Sequence, residues 1–340
     1  LFNKISGFLF YQSDIPTLSN HYPTLLLCKN LSYQKEKKKD IEIVNIIPKF
    51  GKITPSPIMK PAKFILPLLL CAFTFGFTTI GHKNQWKNLF NGKDLAGWDT
   101  YIGPDLNDSG KAITGIPIGL NNDPRLVFSV VKQDGENVIK ISGENWGALS
   151  TQKEYENYHL QLQFKWGTLL WGQKKGKKMD SGVLYRSVGP FGADYGAWMR
   201  SQEFQVEQGN CGDYWGCAGA MADIPVVKQS DSSYVYSAKG TLTTFSASNK
   251  IGRHCIKQGD AENAAGQWNT LDLYCHGDTS IQVMNGKVMM VLYHNSQMDN
   301  GKVLPLTKGK IQIQSEGSEV FYKGIKIQEI DKLPADLVKE

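Results

Sequence analysis

Tyr158-His159-Leu160-Gln161-Leu162-Gln163-Phe164-Lys165-Trp166 alternates apolar and polar side chains without a break. Successive side chains of a strand point to opposite faces. Leu160, Leu162, Phe164 and Trp166 therefore share one face, and His159, Gln161, Gln163 and Lys165 the other. This is the pattern of a half-buried strand in an antiparallel sheet. Similar short segments lie on both sides of it. Residues 126–131 and 137–142 flank a turn at Asp134-Gly135, and Asn285-Gly286 joins 280–284 to 287–293. Asp-Gly and Asn-Gly between such segments signal two-residue hairpins. Further strands are expected at 181–187, 202–207, 268–276, 310–314 and 320–330. In 181–187, Val183 and Tyr185 oppose Gly182, Leu184 and Arg186. No stretch of helical period competes. The fold class is all-β, a sandwich or jelly roll of antiparallel sheets. Residues 218–266 carry a poorer pattern and are expected to form long loops over one face.

The stretch with the most chemistry is Gln202-Glu203-Phe204-Gln205-Val206-Glu207, followed by Gln208-Gly209-Asn210-Cys211-Gly212-Asp213-Tyr214-Trp215. Alternation puts Glu203, Gln205 and Glu207 on one face, with Phe204 and Val206 toward the core. A Gly-containing turn then delivers Asp213 and Trp215. Carboxylates, an amide and an indole within one hairpin suit acid/base work on a sugar. A solvated strand face with a polar loop would read the same way.

The chain has 340 residues and a formal charge of +6. Much of the basic excess sits in Lys35-Glu36-Lys37-Lys38-Lys39 and Lys174-Lys175-Gly176-Lys177-Lys178. The second run reads as a solvated loop, and no nucleic-acid motif accompanies either. Residues 1–58 lack Met and any sustained period, so they read as an upstream extension of the natural start. Met59-Lys60-Pro61-Ala62-Lys63 precedes an uncharged run over 64–80, the pattern of a secretory signal over 59–81. The run is short for a membrane span and contains Pro67. A periplasmic or secreted protein with no stable span after signal removal is expected. A cytoplasmic extension with one anchor is the rival, and Cys71 is a poor lipidation site. The folded domain is expected over 86–330, with a tail at 331–340.

Cys211, Cys217, Cys255 and Cys275 remain in that domain. An even number in an exported protein suggests disulfides, and the local pairings Cys211–Cys217 and Cys255–Cys275 are favoured. Zinc is the alternative, without a CxxC or HxxxH spacing to support it.

Asn88-Leu89-Phe90-Asn91-Gly92-Lys93-Asp94-Leu95-Ala96-Gly97-Trp98 resembles the opening signature of the 3-keto-disaccharide hydrolase domain family. Further matches follow in the family's order. They are Ser181 to Arg186, Glu203 to Glu207, Gly266-Gln267-Trp268-Asn269-Thr270, Val283-Met284-Asn285-Gly286, and Ile311 to Gly317 leading into 320–327. The resemblance spans about residues 86–330 and implies a concanavalin A-like jelly-roll sandwich of two antiparallel sheets. One departure stands out: many members have Asp-His-Gly where this chain has Ser315-Glu316-Gly317, so a role for that His does not carry over.

The resemblance implies cleavage of glycosides oxidised at C3, with a carbohydrate as partner. A ketone at C3 acidifies the C2 proton for a general base. Arg186 is the candidate for stabilising the resulting enolate. A general acid then assists departure at C1, and water adds back. Glu203 and Glu207 are the candidate acid/base pair and Asp213 an accessory carboxylate. Gln205, Trp215, Tyr185, Glu316 and His276 are candidates for substrate binding. No cofactor is firmly implied, although Glu203, Glu207 and Asp213 are hard ligands that suit a divalent cation such as calcium.

Two other functions compete. Glu203-x-Gln205-x-Glu207 resembles the Glu-x-Asp-x-Glu strand of jelly-roll endoglucanases, with Gln replacing Asp. On a regular strand Glu203 and Glu207 have Cα atoms about 13 Å apart, whereas a retaining glycosidase needs carboxyl groups roughly 5–5.5 Å apart. A non-catalytic carbohydrate-binding module would use Trp146, Trp166, Trp171, Trp198 and Trp215 as stacking surfaces.

Overall fold

The computed structural model describes residues 85–338. The expectations for residues 1–58 and 59–81 lie outside the described residues. Among the described residues the helical pieces are one 3-10 turn, Gly172–Lys174, and one short helix, Ala335–Val338.

Two antiparallel sheets form the sandwich. The 8-stranded sheet runs, in spatial order, His254–Cys255, Tyr214–Cys217, Arg200–Glu207, Asp180–Val188, Lys310–Ser315, Gly147–Thr151, Trp98–Leu106 and Ala112–Leu120. The 12-stranded sheet has Tyr158–Leu170 near its middle, between Asn269–His276 and Ser318–Glu329. The chain crosses between the sheets repeatedly, as where Lys310–Ser315 of one leads into Ser318–Glu329 of the other. This is the jelly-roll arrangement, and the two sheets share a core. Leu160, Leu162 and Phe164 from the larger sheet cluster with Val183, Phe204, Val206 and Ile313 from the smaller. Each such side chain contributes about 1.5–3 kcal/mol by leaving water.

The alternation in Tyr158–Leu170 holds, and its polar face is covered as well. Lys165 bonds Asp134 at 2.5 Å and lies over the Trp268 ring, and His159 meets Asp272 at 2.7 Å. Both expected hairpins turn through left-handed residues, Asp134 and Gly135 in one, Asn285 and Gly286 in the other. That is the geometry a two-residue hairpin of this hand requires. The opening signature is a structural device: Trp98 Nε1 donates to the Leu89 carbonyl, and Phe90 and Trp98 enter the core.

Two expectations are corrected. Residues 218–266 are not merely loops. They contain strands Ala220–Lys228, Tyr234–Tyr236, Thr241–Phe245 and His254–Cys255, which wrap a second apolar cluster around Tyr214, Ile224 and Leu292. The expected disulfides are absent, and Cys211, Cys217, Cys255 and Cys275 are free, buried thiols. Cys211 and Cys275 lie in the inter-sheet core, Cys217 beside Trp198, and Cys255 beside Tyr214. Each favoured pair therefore joins thiols from different clusters.

Candidate active site

Strand Arg200–Glu207 sends Phe204 and Val206 into the core and turns Glu203, Gln205 and Glu207 outward, where they line a cavity of about 410 Å³. The neighbouring strand sets Asp180 opposite Glu207, Gly182 opposite Gln205 and Leu184 opposite Glu203. Gly182 is a spatial requirement. A Cβ there would lie 2.4 Å from Glu203 Oε1 and 2.8 Å from Gln314 Oε1. The bare strand thus leaves room for both groups to lie over it. Glu203 Oε2 accepts a hydrogen bond from the Cys217 thiol at 3.3 Å.

One wall is aromatic and cationic. The turn after Glu207 brings Trp215 into register with Glu203. Trp215 stacks on His254 at 4.3 Å, and His254 Nε2 bonds Asp213 Oδ2 at 2.8 Å. The Arg253 guanidinium lies over the rings of Tyr195 and Trp215, at 5.3 and 5.5 Å, and Asp194 holds it at 2.8 Å. Trp146 and Trp198, stacked at 5.2 Å, continue this wall.

The opposite side is ionic. Lys174, at the end of the 3-10 turn, bonds Asp180 and lies 3.6 Å from Glu316 Oε1. A Cβ on Gly317 would meet Lys174 Cγ at 2.7 Å, so that glycine makes room for the lysine stem. Gln205 Nε2 donates to Asp180 Oδ1 at 3.1 Å. The Oε1 atoms of Gln205 and Gln314 are buried in the same cavity without a protein partner. Buried acceptors of this kind are placed to receive ligand donors.

Burial dominates the electrostatics. It raises Glu203 to about 8, with Asp180 and Asp194 adding to the effect and the Cys217 hydrogen bond and Arg253 opposing it. It raises Asp180 to about 7 against the pull of Lys174, with Glu207 adding to the rise. Burial and the nearby Asp180 hold Glu316 well above the ordinary carboxylate range. Lys174 is pulled down by burial, but Glu316 and Asp180 more than offset this and leave it raised. A site that keeps protons on carboxyl groups near neutral pH can both donate and accept them.

The structure thus brings Glu203, Gln205, Glu207, Trp215 and Glu316 to one cavity. It places the other sequence candidates elsewhere. Arg186 is fully buried and donates to the carbonyls of Leu306, Gly277 and Thr279. Its backbone is left-handed, and the strand register shifts beside it. That bulge breaks the alternation that would have put Arg186 on the face of Gly182. Contrary to expectation, its side chain is in no position to meet an enolate in the cavity. Tyr185 lies in the inter-sheet core with its hydroxyl on Ser280. His276 ends a strand of the other sheet, away from the cavity. Asp213 stands behind the wall, its oxygens taken by His254 and by the Lys257 N–H. Glu203, Glu207 and Asp213 do not converge as a ligand set. Among the described residues no group of three or more His, Cys, Asp or Glu is arranged to hold a metal ion.

Sequence reasoning missed Lys174, Asp180, Asp194, Tyr195 and Arg253. Asp180 was within reach, because extending the 181–187 alternation back by one residue puts it on the face of Gly182. Lys174 was hidden in a basic run that reads as solvent-facing. Arg253, Asp194 and Tyr195 lie in irregular segments with no periodic signal.

A comparison with curated proteins finds no match. Among solved structures, the chain is similar to a candidate glycosyl hydrolase from Parabacteroides distasonis, at 19% identity over 73% of this chain and 100% of that chain, with a TM-score of 0.39. It is also similar to a CBM66 carbohydrate-binding module from Bacillus subtilis, at 6% identity over 59% of this chain and 92% of that one, with a TM-score of 0.32. A third is domain 4 of a GH43 extracellular arabinanase from Geobacillus stearothermophilus, solved with arabinotriose, at 10% identity over 71% and 86% of the two chains, with a TM-score of 0.30. The 3-keto-alpha-glucoside-1,2-lyase-like domain matches residues 85–328, which hold both sheets and every residue of the cavity. The chain belongs to that family, a family of carbohydrate-active jelly-roll proteins.

Proposed function

We propose that this protein cleaves glycosides already oxidised to a ketone at C3, by elimination across C1–C2 followed by addition of water. The observation that carries this reading is the contrast between two neighbouring carboxyl groups. Glu203 is buried against a thiol and is raised to about 8, so it holds a proton at neutral pH. Asp180, by contrast, is bonded to the Lys174 ammonium, which opposes the effect of burial and favours its ionised form. Groups whose environments separate their pKa values divide into acid and base.

In this reading Asp180 takes the C2 proton, and Arg253 stabilises the charge that develops on the C3 oxygen. The C1–O bond breaks, and the proton of Glu203 passes to the departing oxygen. Water then adds at C1 of the unsaturated ketone, giving its proton to Glu203, while Asp180 returns a proton to C2. The sum is hydrolysis, with both carboxyl groups restored. Gln205 and Gln314 would accept hydrogen bonds from sugar hydroxyls, and Trp215 offers the sugar a stacking face. Glu207, at the cavity rim with its carboxylate bonded to Asn210, would orient the substrate.

Turnover of a 3-keto-glucoside in D2O tests the route. Protonation of C2 from solvent during hydration places one deuterium at C2 of the released keto sugar at early conversion, above the no-enzyme exchange. Retention of protium at C2, together with no primary isotope effect on turnover of the C2-deuterated substrate, would instead identify direct hydrolysis at C1.

A further inference from the structure

A second cavity, of about 580 Å³, lies on the larger sheet and shares no lining residue with the first. It forms where strand Lys287–Asp299 bulges against Ala220–Lys228. Met221 pairs with Ser296 but Asp223 pairs with Tyr293, so Lys287–Asp299 carries one extra residue at this point. His294 sits in that bulge with φ 48°, a left-handed conformation uncommon for a residue with a side chain. Bulges re-aim side chains and recur next to functional sites. Here the result is an ordered chain of polar groups. His294 Nδ1 donates to Asp223 Oδ2 at 2.8 Å, and Thr244 Oγ1 donates to Asp223 Oδ1 at 2.6 Å. With Nδ1 committed to the carboxylate, Nε2 is the ring nitrogen left for a ligand.

We infer that this groove is a second, non-catalytic binding site for a neutral saccharide. Its chemistry favours that class over others. The described lining contains no Lys or Arg, while Asp223 and Asp278 both face it, so anionic ligands are repelled. Hydroxyl, amide and carboxylate groups alternate with an apolar strip of Met298, Val303 and Pro305. A sugar ring presents the matching surface, with hydroxyls around its rim and C–H groups on its face. The inference goes beyond the reading of the Glu203 cavity and does not rest on it.

Calorimetric titration of the full chain with maltotetraose, cellotetraose and laminaritetraose, all unoxidised, tests the inference. At least one binds with a dissociation constant on the order of 1 mM. Asp223→Ala weakens that binding about tenfold or more, and Trp215→Ala, in the other cavity, leaves it intact. Val303→Arg is the second groove variant, since Val303 is exposed and its replacement covers the groove without touching the core. It also weakens binding about tenfold or more, at an unchanged melting temperature. No binding of any of the three sugars, binding that survives both groove variants, or binding lost in Trp215→Ala would each overturn the inference.

Discussion

Glu203 is costly to ionise where it stands, and the cost has a sign that can be measured. Its folded value of about 8 lies above its ordinary value of 4.5. Between those values the folded chain keeps a proton that the unfolded chain has released. Stability therefore falls as pH rises through this window, by up to roughly 1.4 kcal/mol per pH unit for this one group. Glu203→Gln removes the penalty. We expect the variant to melt several degrees above the parent at pH 8, with the gain gone near pH 4.5, as followed by circular dichroism. The same variant should lose about 100-fold or more in turnover. Stability surrendered at a working residue is a common trade. If Asp180 acts ionised and Glu203 protonated, kcat/KM rises through about pH 7 and falls above about pH 8. A flat profile across pH 6 to about 9 would contradict that division of roles. Arg253→Ala should lower kcat by about 100-fold or more if the guanidinium faces developing charge. Arg186→Met should instead leave kcat per folded molecule within about twofold. It strands three carbonyl oxygens and should destabilise the fold by on the order of 3 kcal/mol, read by urea unfolding.

The strand is where the sequence was most legible, because alternation is a local rule. Tyr158–Leu170 and Arg200–Glu207 face as their patterns require, and the hairpins at Asp134-Gly135 and Asn285-Gly286 turn where the dipeptides place them. The rule failed at Arg186 because a bulge changes the direction of a side chain without changing the residue types around it. It was silent on Lys174, because only the fold decides whether a lysine in a basic run meets solvent or two carboxylates. Arg253 is set by contacts with Tyr195 and Asp194, about sixty positions away in the chain, which no local pattern encodes. Strand Asp180–Val188 offers a test at this scale. Gly182→Ala puts a methyl group where the Glu203 carboxyl lies. The collision is with the far end of a side chain, so the fold should survive. Activity should fall by about tenfold or more as the carboxyl is displaced. Full activity in that variant would show that the position of Glu203 is not critical.

The sandwich as a whole keeps its four described thiols in three separate buried clusters, so its stability comes from the inter-sheet core and not from cross-links. Alkylation in denaturant without reductant should modify Cys211, Cys217, Cys255 and Cys275, and peptide mass mapping would expose a disulfide-linked pair if one existed. One face of the smaller sheet packs into the core, and the other carries a cavity where burial raises the carboxyl groups of Glu203, Asp180 and Glu316. That arrangement is what would let this jelly roll move protons on an oxidised sugar, as we propose. The most direct test compares 4-nitrophenyl 3-keto-glucosides, in both anomers, with their unoxidised parents, using wild type and Glu203→Gln. Wild type should release nitrophenol from one keto anomer, the variant should nearly lose that release, and neither unoxidised glucoside should yield any. Equal release from the unoxidised glucosides, or undiminished release by Glu203→Gln, would contradict the proposal.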